Sequence, residues 1–311
     1  MLENGPSKYA RMETGRIETL AKFACLYGGL GWGLFWIPLR YMDNIGVSGA
    51  WATVAFYVIP APIVLVMIVW RREQFIKGGM RLHILGISTS FAVVLYSNSM
   101  LFTEVVRAMV LYYMTPIWSF LLAWIWLKEA ITIARSISIL MGISGMLVMF
   151  GVDVGIPLPR NLGDWLALAG GLLWAVAAVL MRRDPEHSAI DMCNVFFFWA
   201  TIFAIAMAFL PFPGPQPEIS NVVSNLYWLF PVLVLLVIPT ILAVMWGSPL
   251  LNPGVVGLLF LSEIAVGTIT AALWAGEPFG ARELTGVLLV SLAGLTEVVI
   301  NPILASRDKK S

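Results

Sequence analysis

Long apolar runs alternate with short polar breaks along this chain, and ten of the runs come close to 20 residues. They cover roughly 20–39, 48–70, 82–102, 108–127, 132–150, 163–181, 192–211, 226–247, 253–275 and 283–303. Twenty residues at about 1.5 Å each match a bilayer core about 30 Å thick. The clearest run, 108–127, carries no charge and closes in Lys128-Glu129. The pattern predicts an all-α membrane protein with ten transmembrane helices.

The runs repeat. Residues 108–129 read AMVLYYMTPIWSFLLAWIWLKE, and 148 positions later 256–277 read VGLLFLSEIAVGTITAALWAGE. That shift lays Ala123 on Ala271, Trp126 on Trp274 and Glu129 on Glu277, with Thr115 opposite Glu263 and Pro116 opposite Ile264. Gly28-Gly29-Leu30-Gly31-Trp32 recurs 142 positions on as Gly170-Gly171-Leu172-Leu173-Trp174, which brings Arg40 to Arg182. The chain is expected to be one unit written twice, 1–152 and 153–311, with five spans in each. An odd number of spans inverts the second unit relative to the first, as in many secondary transporters. Two longer connections, around 153–164 and 211–221, are too short for a soluble domain.

Composition and charge sharpen this picture. Hydrophobic residues make up 59% and charged residues 12%, with a mean hydropathy of +0.87; soluble domains carry about 25% charge. With the N-terminus inside, 15 of the 19 Lys and Arg fall on the cytoplasmic side, leaving Arg40, Arg107, Arg160 and Arg282 opposite. This asymmetry favours an even number of spans with both termini in the cytoplasm. The polar N-terminal stretch is too long for a cleavable signal, so the first span is expected to direct its own insertion. The net charge of +1 gives no reason to expect nucleic acid as a partner. Cys25 and Cys193 both sit in apolar runs and read as buried small side chains.

No enzyme pattern stands out. His83 and His187 lie far apart near loops, and HExxH, GxSxG and Walker spacings are absent, so no metal or cofactor is expected. Gly29 and Gly33 form a GxxxG pair that reads as close helix packing. Polar groups inside spans are costly in lipid and are therefore candidates for function. Glu263, preceded by Ser262, lies near the middle of the ninth span. Its carboxylate either titrates or meets a cation, or it braces a helix through hydrogen bonds. Asn98, in Ser97-Asn98-Ser99 beside Tyr96, faces a similar choice between substrate and neighbouring helix. Glu297 and Asp153 fall at helix ends, where an interfacial role is expected.

Aromatic residues are abundant: 13 Trp, 17 Phe and 8 Tyr. Trp51, Trp70, Trp126, Trp228 and Trp274 lie near span ends and read as interface belts. Trp32 and Trp174 differ, since they hold matching positions inside the first helix of each unit. Trp36 follows Trp32 by four residues on the same face, and Tyr112 and Thr115 precede Pro116. Together they point to an aromatic wall around a cavity. Prolines 38, 60, 62, 116, 231 and 239 fall within spans, where each frees a backbone carbonyl.

The paired five-helix units, the Tyr112…Pro116…Glu129 arrangement, the following span with Gly142 and Gly145, and the GGLGW and GGLLW helix starts resemble the drug/metabolite transporter superfamily, EamA-type. Within it the chain looks most like bacterial aromatic amino acid exporters, which share a Trp in the first and sixth helices. It departs from the pattern at Ile264, where a Pro is common, and at Gly33, where a polar residue is usual. The resemblance implies a secondary transporter in a bacterial inner membrane; a monomer is expected because each half already supplies a partner for the other. It would export amino acids, aromatic or bulky neutral ones, by alternating access through a cavity lined by helices 1, 3, 4, 6, 8 and 9. The candidate substrate-binding residues are Trp32, Trp36, Tyr96, Asn98, Tyr112, Thr115, Trp174, Ser262 and Glu263. Alternatives are a proton-coupled multidrug or organic-cation exporter built on Glu263, a nucleotide-sugar or sugar-phosphate carrier, and an intramembrane enzyme. A phosphate substrate would call for Lys or Arg at mid-membrane, which the spans lack.

Overall fold

The computed structural model describes residues 8–128, 133–150, 158–184, 186–210 and 216–296, and among them helices alternate with short connections and no strand occurs. In chain order the helices are α1 (Lys8–Trp32), α2 (Trp36–Asn44), α3 (Ala50–Val58), α4 (Ala61–Trp70), α5 (Arg72–Lys77) and α6 (Gly79–Phe102). They continue with α7 (Val105–Tyr112), α8 (Thr115–Leu122), α9 (Ile133–Phe150), α10 (Leu162–Arg182) and α11 (Ala189–Ala208). The last are α12 (Ile219–Val223), α13 (Leu226–Gly247), α14 (Pro253–Phe260), α15 (Ser262–Trp274) and α16 (Ala281–Leu295).

Seven stretches are long and apolar enough to cross a bilayer: Gly15–Asn44, Gly79–Phe102, Val105–Leu127, Leu162–Arg182, Ala189–Ala208, Leu226–Leu250 and Pro253–Trp274. Helices α3 and α4 make an eighth if they are one span bent by 47°. The two remaining expected runs, 132–150 and 283–303, correspond to α9 and α16, which pack along each other. Both are short for a span within the described residues: the apolar part of α9 is Ser136–Met149, and α16 has 15 residues. Residues 129–132, 151–157 and 297–311, including Glu129, Asp153, Glu297 and the basic tail, lie outside the described residues, as does the proline-rich stretch 211–215.

The closest packing joins elements from opposite ends of the sequence. Helix α6 packs on α10 and α11, and α1 packs on α13, α14 and α15. Two glycines permit this. A Cβ on Gly29 would sit 3.1 Å from the Phe260 Cα and 2.2 Å from the Ser262 hydroxyl oxygen. A Cβ on Gly171 would sit 2.2 Å from the Tyr112 carbonyl oxygen. Each matched glycine thus lets the first helix of one repeat press against the middle of the other repeat's central helix.

Those central helices are broken in the middle. The first gives way at Tyr113-Met114, between α7 and α8, and the second at Leu261, between α14 and α15. The break points differ by 148 positions, the repeat shift itself. Side chains take the carbonyls that the breaks release. The Thr115 hydroxyl lies 2.5 Å from the Tyr112 carbonyl, Ser262 donates to Leu259 O at 2.9 Å, and Tyr113 donates to Phe260 O at 2.7 Å. Broken helices of this kind are stable in a membrane only where protein surrounds the exposed backbone, and here Tyr112, Tyr113, Phe260 and Leu261 are all at most 2% exposed.

Candidate substrate site at the crossing of the broken helices

The two breaks meet α1, α6 and α10 at the centre of the bundle. The indole rings of Trp32 and Trp174 stand edge-to-face with centroids 4.9 Å apart, and Phe260 meets Trp32 at 4.7 Å. Tyr96 of α6 stacks on Tyr112 of α7 at 3.9 Å. The edge-to-face pairs each contribute about 0.5–1.5 kcal/mol beyond their burial. Between them remains a void of about 10 Å³, lined by Trp32, Phe35, Tyr96, Ser97 and Tyr112 among others. That is room for about one water. The expected aromatic-lined cavity is therefore shut in this structure, because its own wall side chains fill it.

Glu263, wholly buried in the first turn of α15, faces this cluster. Tyr96 donates its hydroxyl to Oε1, and the Tyr113 hydroxyl lies 2.5 Å from Oε2. Trp32 Nε1, Trp174 Nε1 and Asn98 Oδ1 are buried without a hydrogen-bond partner among the described residues. Buried polar atoms are nearly always satisfied, so the two unpartnered indole N–H groups, on rings that touch each other, make this cluster a candidate ligand site.

The expected site residues fall into three groups. Trp32, Tyr96, Tyr112, Trp174 and Glu263 come together in the central cluster. Thr115 and Ser262 stitch the two helix breaks, and their hydroxyl protons go to backbone carbonyls. Trp36 and Asn98 stand at the margin. Trp36 donates Nε1 to Thr270 Oγ1 at 3.0 Å and lines a cleft beside Arg40, while Asn98 donates to Val94 O at 2.9 Å within its own helix. Sequence reasoning missed Tyr113 and Phe260. Phe260 had a signal: the 148-residue shift places it on Tyr112.

Two clefts, of about 540 and 700 Å³, open at the end of the bundle that carries Arg40, and both are lined by Thr103, Glu104 and Glu277. Burial pushes the Glu277 carboxyl above the ordinary carboxylate range, and the Val105 N–H partly offsets this. Below the clefts, Asp164 takes Nε and Nη2 of Arg107 at 2.7 Å, with Thr103 and the Arg160 N–H adding further donors. At the opposite end Arg71 holds Asp191 at 2.7 Å. Both ion pairs tie a residue before 108 to one after 161.

The model of the EamA-like transporter family matches the chain twice, over residues 19–151 and 161–296. This chain belongs to the EamA-like transporter family. It is accordingly a multi-pass membrane transporter, and each copy of the family pattern contains one broken central helix. A solved structure titled only "Crystal structure of protein" resembles this EamA-like transporter with a TM-score of 0.63, at 16% identity, over 90% of this chain and 98% of that one. That likeness concerns the fold alone. No curated protein matches the chain.

Proposed function

We propose that this EamA-like transporter exports amino acids, preferentially aromatic or bulky neutral ones, by alternating access through the central cluster. The observation that carries the reading is a buried carboxylate held by Tyr96 and Tyr113, in an aromatic cluster where the Trp32 and Trp174 N–H donors lack acceptors among the described residues. A zwitterion with an apolar side chain fits this set. Its ammonium pairs with Glu263, its carboxylate accepts from Trp32 and Trp174, and its side chain packs among Tyr96, Tyr112 and Phe260.

Ligand sites for small molecules measure about 300–1,000 Å³, so the centre must open by moving the halves of the broken helices. In this reading the chain has ten spans, five from 1–152 and five inverted from 153–311, with α9 and α16 as the fifth and tenth. It sits as a monomer in a bacterial inner membrane with both termini in the cytoplasm. The 15-to-4 distribution of Lys and Arg supports that orientation.

The test is flux in proteoliposomes holding the purified protein alone, with labelled phenylalanine, tryptophan, threonine, methionine and a quaternary amine. Amino acid flux that falls severalfold in Trp174→Ala is the expected result. Flux of the amine alone would replace amino acids by organic cations as the substrate class.

A further inference from the structure

A tyrosine hydroxyl carries one proton, and an ionised carboxylate can only accept. The Tyr113 oxygen lies 2.7 Å from the Phe260 carbonyl and 2.5 Å from Glu263 Oε2. With Glu263 ionised, one hydroxyl proton faces two acceptors, and one of these short oxygen–oxygen contacts has no hydrogen in it. With a proton on Oε2 the chain is complete. Oε2–H donates to Tyr113, Tyr113 donates to Phe260 O, and Tyr96 donates to Oε1. The Phe260 carbonyl is available because the break turns the Ile264 N–H onto Leu261 O at 3.0 Å instead.

The surroundings agree. The hydrogen-bond partners of Glu263 are Tyr96 from α6 and Tyr113 from the end of α7, with Tyr112 stacked behind Tyr96. Helix α1 brings Gly29 and Gly33 to this point, and α14 brings Phe260. Among the described residues no cation pairs with Glu263: Arg107 of α7 holds Asp164, Lys22 of α1 holds Glu18, and Arg282 of α16 lines the outer cleft. A wholly buried carboxylate without a cation is far cheaper to hold neutral than ionised.

We propose that Glu263 is a proton-binding site, protonated in this closed state, and that it exchanges its proton for the substrate's ammonium, so that transport is coupled to the proton gradient. The exchange balances. When the centre opens to water, the Oε2–H bond breaks and the proton passes to that water. The carboxylate left behind then binds the ammonium. When the substrate leaves on the other side, water returns a proton to Oε2 and the centre closes. The coupling rests on the amino acid reading above; the protonated closed state does not.

Two measurements separate the pair. The first is the infrared difference spectrum between wild type and Glu263→Gln in lipid without substrate, with thermal unfolding of both as the control for folding. A Gln amide can donate to Tyr113 and accept from Tyr96, so the variant keeps the hydrogen-bond pattern. The expected result is a carboxylic-acid C=O band at neutral pH that Glu263→Gln removes; its absence overturns the proton site. The second is wild-type flux under an imposed gradient of one pH unit. One proton exchanged per substrate supports accumulation of about tenfold. Accumulation towards that ratio supports coupling, and flux indifferent to the gradient overturns it. A protonated Glu263 in a protein that moves none of the offered amino acids would overturn the export reading while upholding the proton site.

Discussion

The first helices of the two repeats start alike and end differently. Helix α1 breaks at Gly33 and resumes as α2, whereas α10 runs unbroken from Leu162 to Arg182. The positions matching Gly33 and Pro38 are Ala175 and Leu180. Pro38 has no N–H, so the Leu34 carbonyl bonds the Ile37 N–H at 3.1 Å in a tighter turn, and the flexible Gly33 accommodates it. The central helices teach the converse. They break at matching points although the first has Pro116 and the second Ile264 there. Proline is therefore not required for that break; side chains that take up the freed carbonyls are the feature both share.

The same comparison separates shape from chemistry. Trp32 and Trp174, and Tyr112 and Phe260, are paired by the repeat and form a near-symmetric aromatic wall. Position 115 carries a threonine that braces the backbone, while its match, Glu263, carries the buried carboxylate. One repeat supplies the acid and the other supplies the tyrosines around it.

Substitutions at matched positions test this asymmetry, and the outermost pair gives the largest expected effect. Asp164, matched to Lys22, holds Arg107 across the two repeats and is fully buried. Asp164→Ala should cost about 3–5 kcal/mol by removing a fully buried carboxylate that holds Arg107 and also accepts from Thr103 and the Arg160 N–H. Lys22→Ala should cost less, since its partner Glu18 is 55% exposed and four residues away in the same helix. Thermal unfolding in detergent reads both. Next, Leu180→Pro should cost about 3 kcal/mol by breaking α10, while Pro38→Leu, at a helix already broken, should change stability little. A helix signal in Leu180→Pro equal to wild type, with unchanged unfolding, would deny the contrast.

Gly171→Ala and Gly29→Ala should each cost about 1–3 kcal/mol by overpacking. Gly171→Ala should cost more, because its Cβ meets a backbone carbonyl rather than a serine hydroxyl as its nearest atom. Equal unfolding temperatures would contradict that order.

The smallest effect is a slope with pH. Burial raises the Glu277 carboxyl, so folding binds a proton there. That contribution is complete below the ordinary Glu value of about 4.3 and fades as pH rises through the folded value. Glu277→Gln should gain stability relative to wild type as pH rises from about 4 towards neutral. Parallel curves for the two proteins would show that Glu277 does not titrate differently on folding.

Much of this was legible in the chain. The apolar runs place the starts of most helices within a few residues, and the 148-residue shift anticipates matched central helices. The prolines were less reliable. Pro60 and Pro62 sit at the 47° bend, yet α13 continues through Pro231 and Pro239. Tyr113 escaped for a physical reason. Helical periodicity turns it about 100° away from Tyr112, but the break at Tyr113-Met114 ends that periodicity and aims its hydroxyl at Glu263. The partners of Glu263 lie 150 and 167 positions away in sequence, so only the packed structure brings them together.

The central claim, a closed centre that opens alternately to the two faces of the membrane, is tested most directly by cysteine accessibility. Ser97→Cys places a thiol in the wall of the central void, in a chain whose buried Cys25 and Cys193 are changed to alanine. A membrane-impermeant maleimide is applied to oriented vesicles from each face, with and without phenylalanine, one of the substrates proposed above. The account predicts labelling from both faces, with substrate shifting the ratio between them. Labelling from one face only, whatever the substrate, would contradict alternating access at this site.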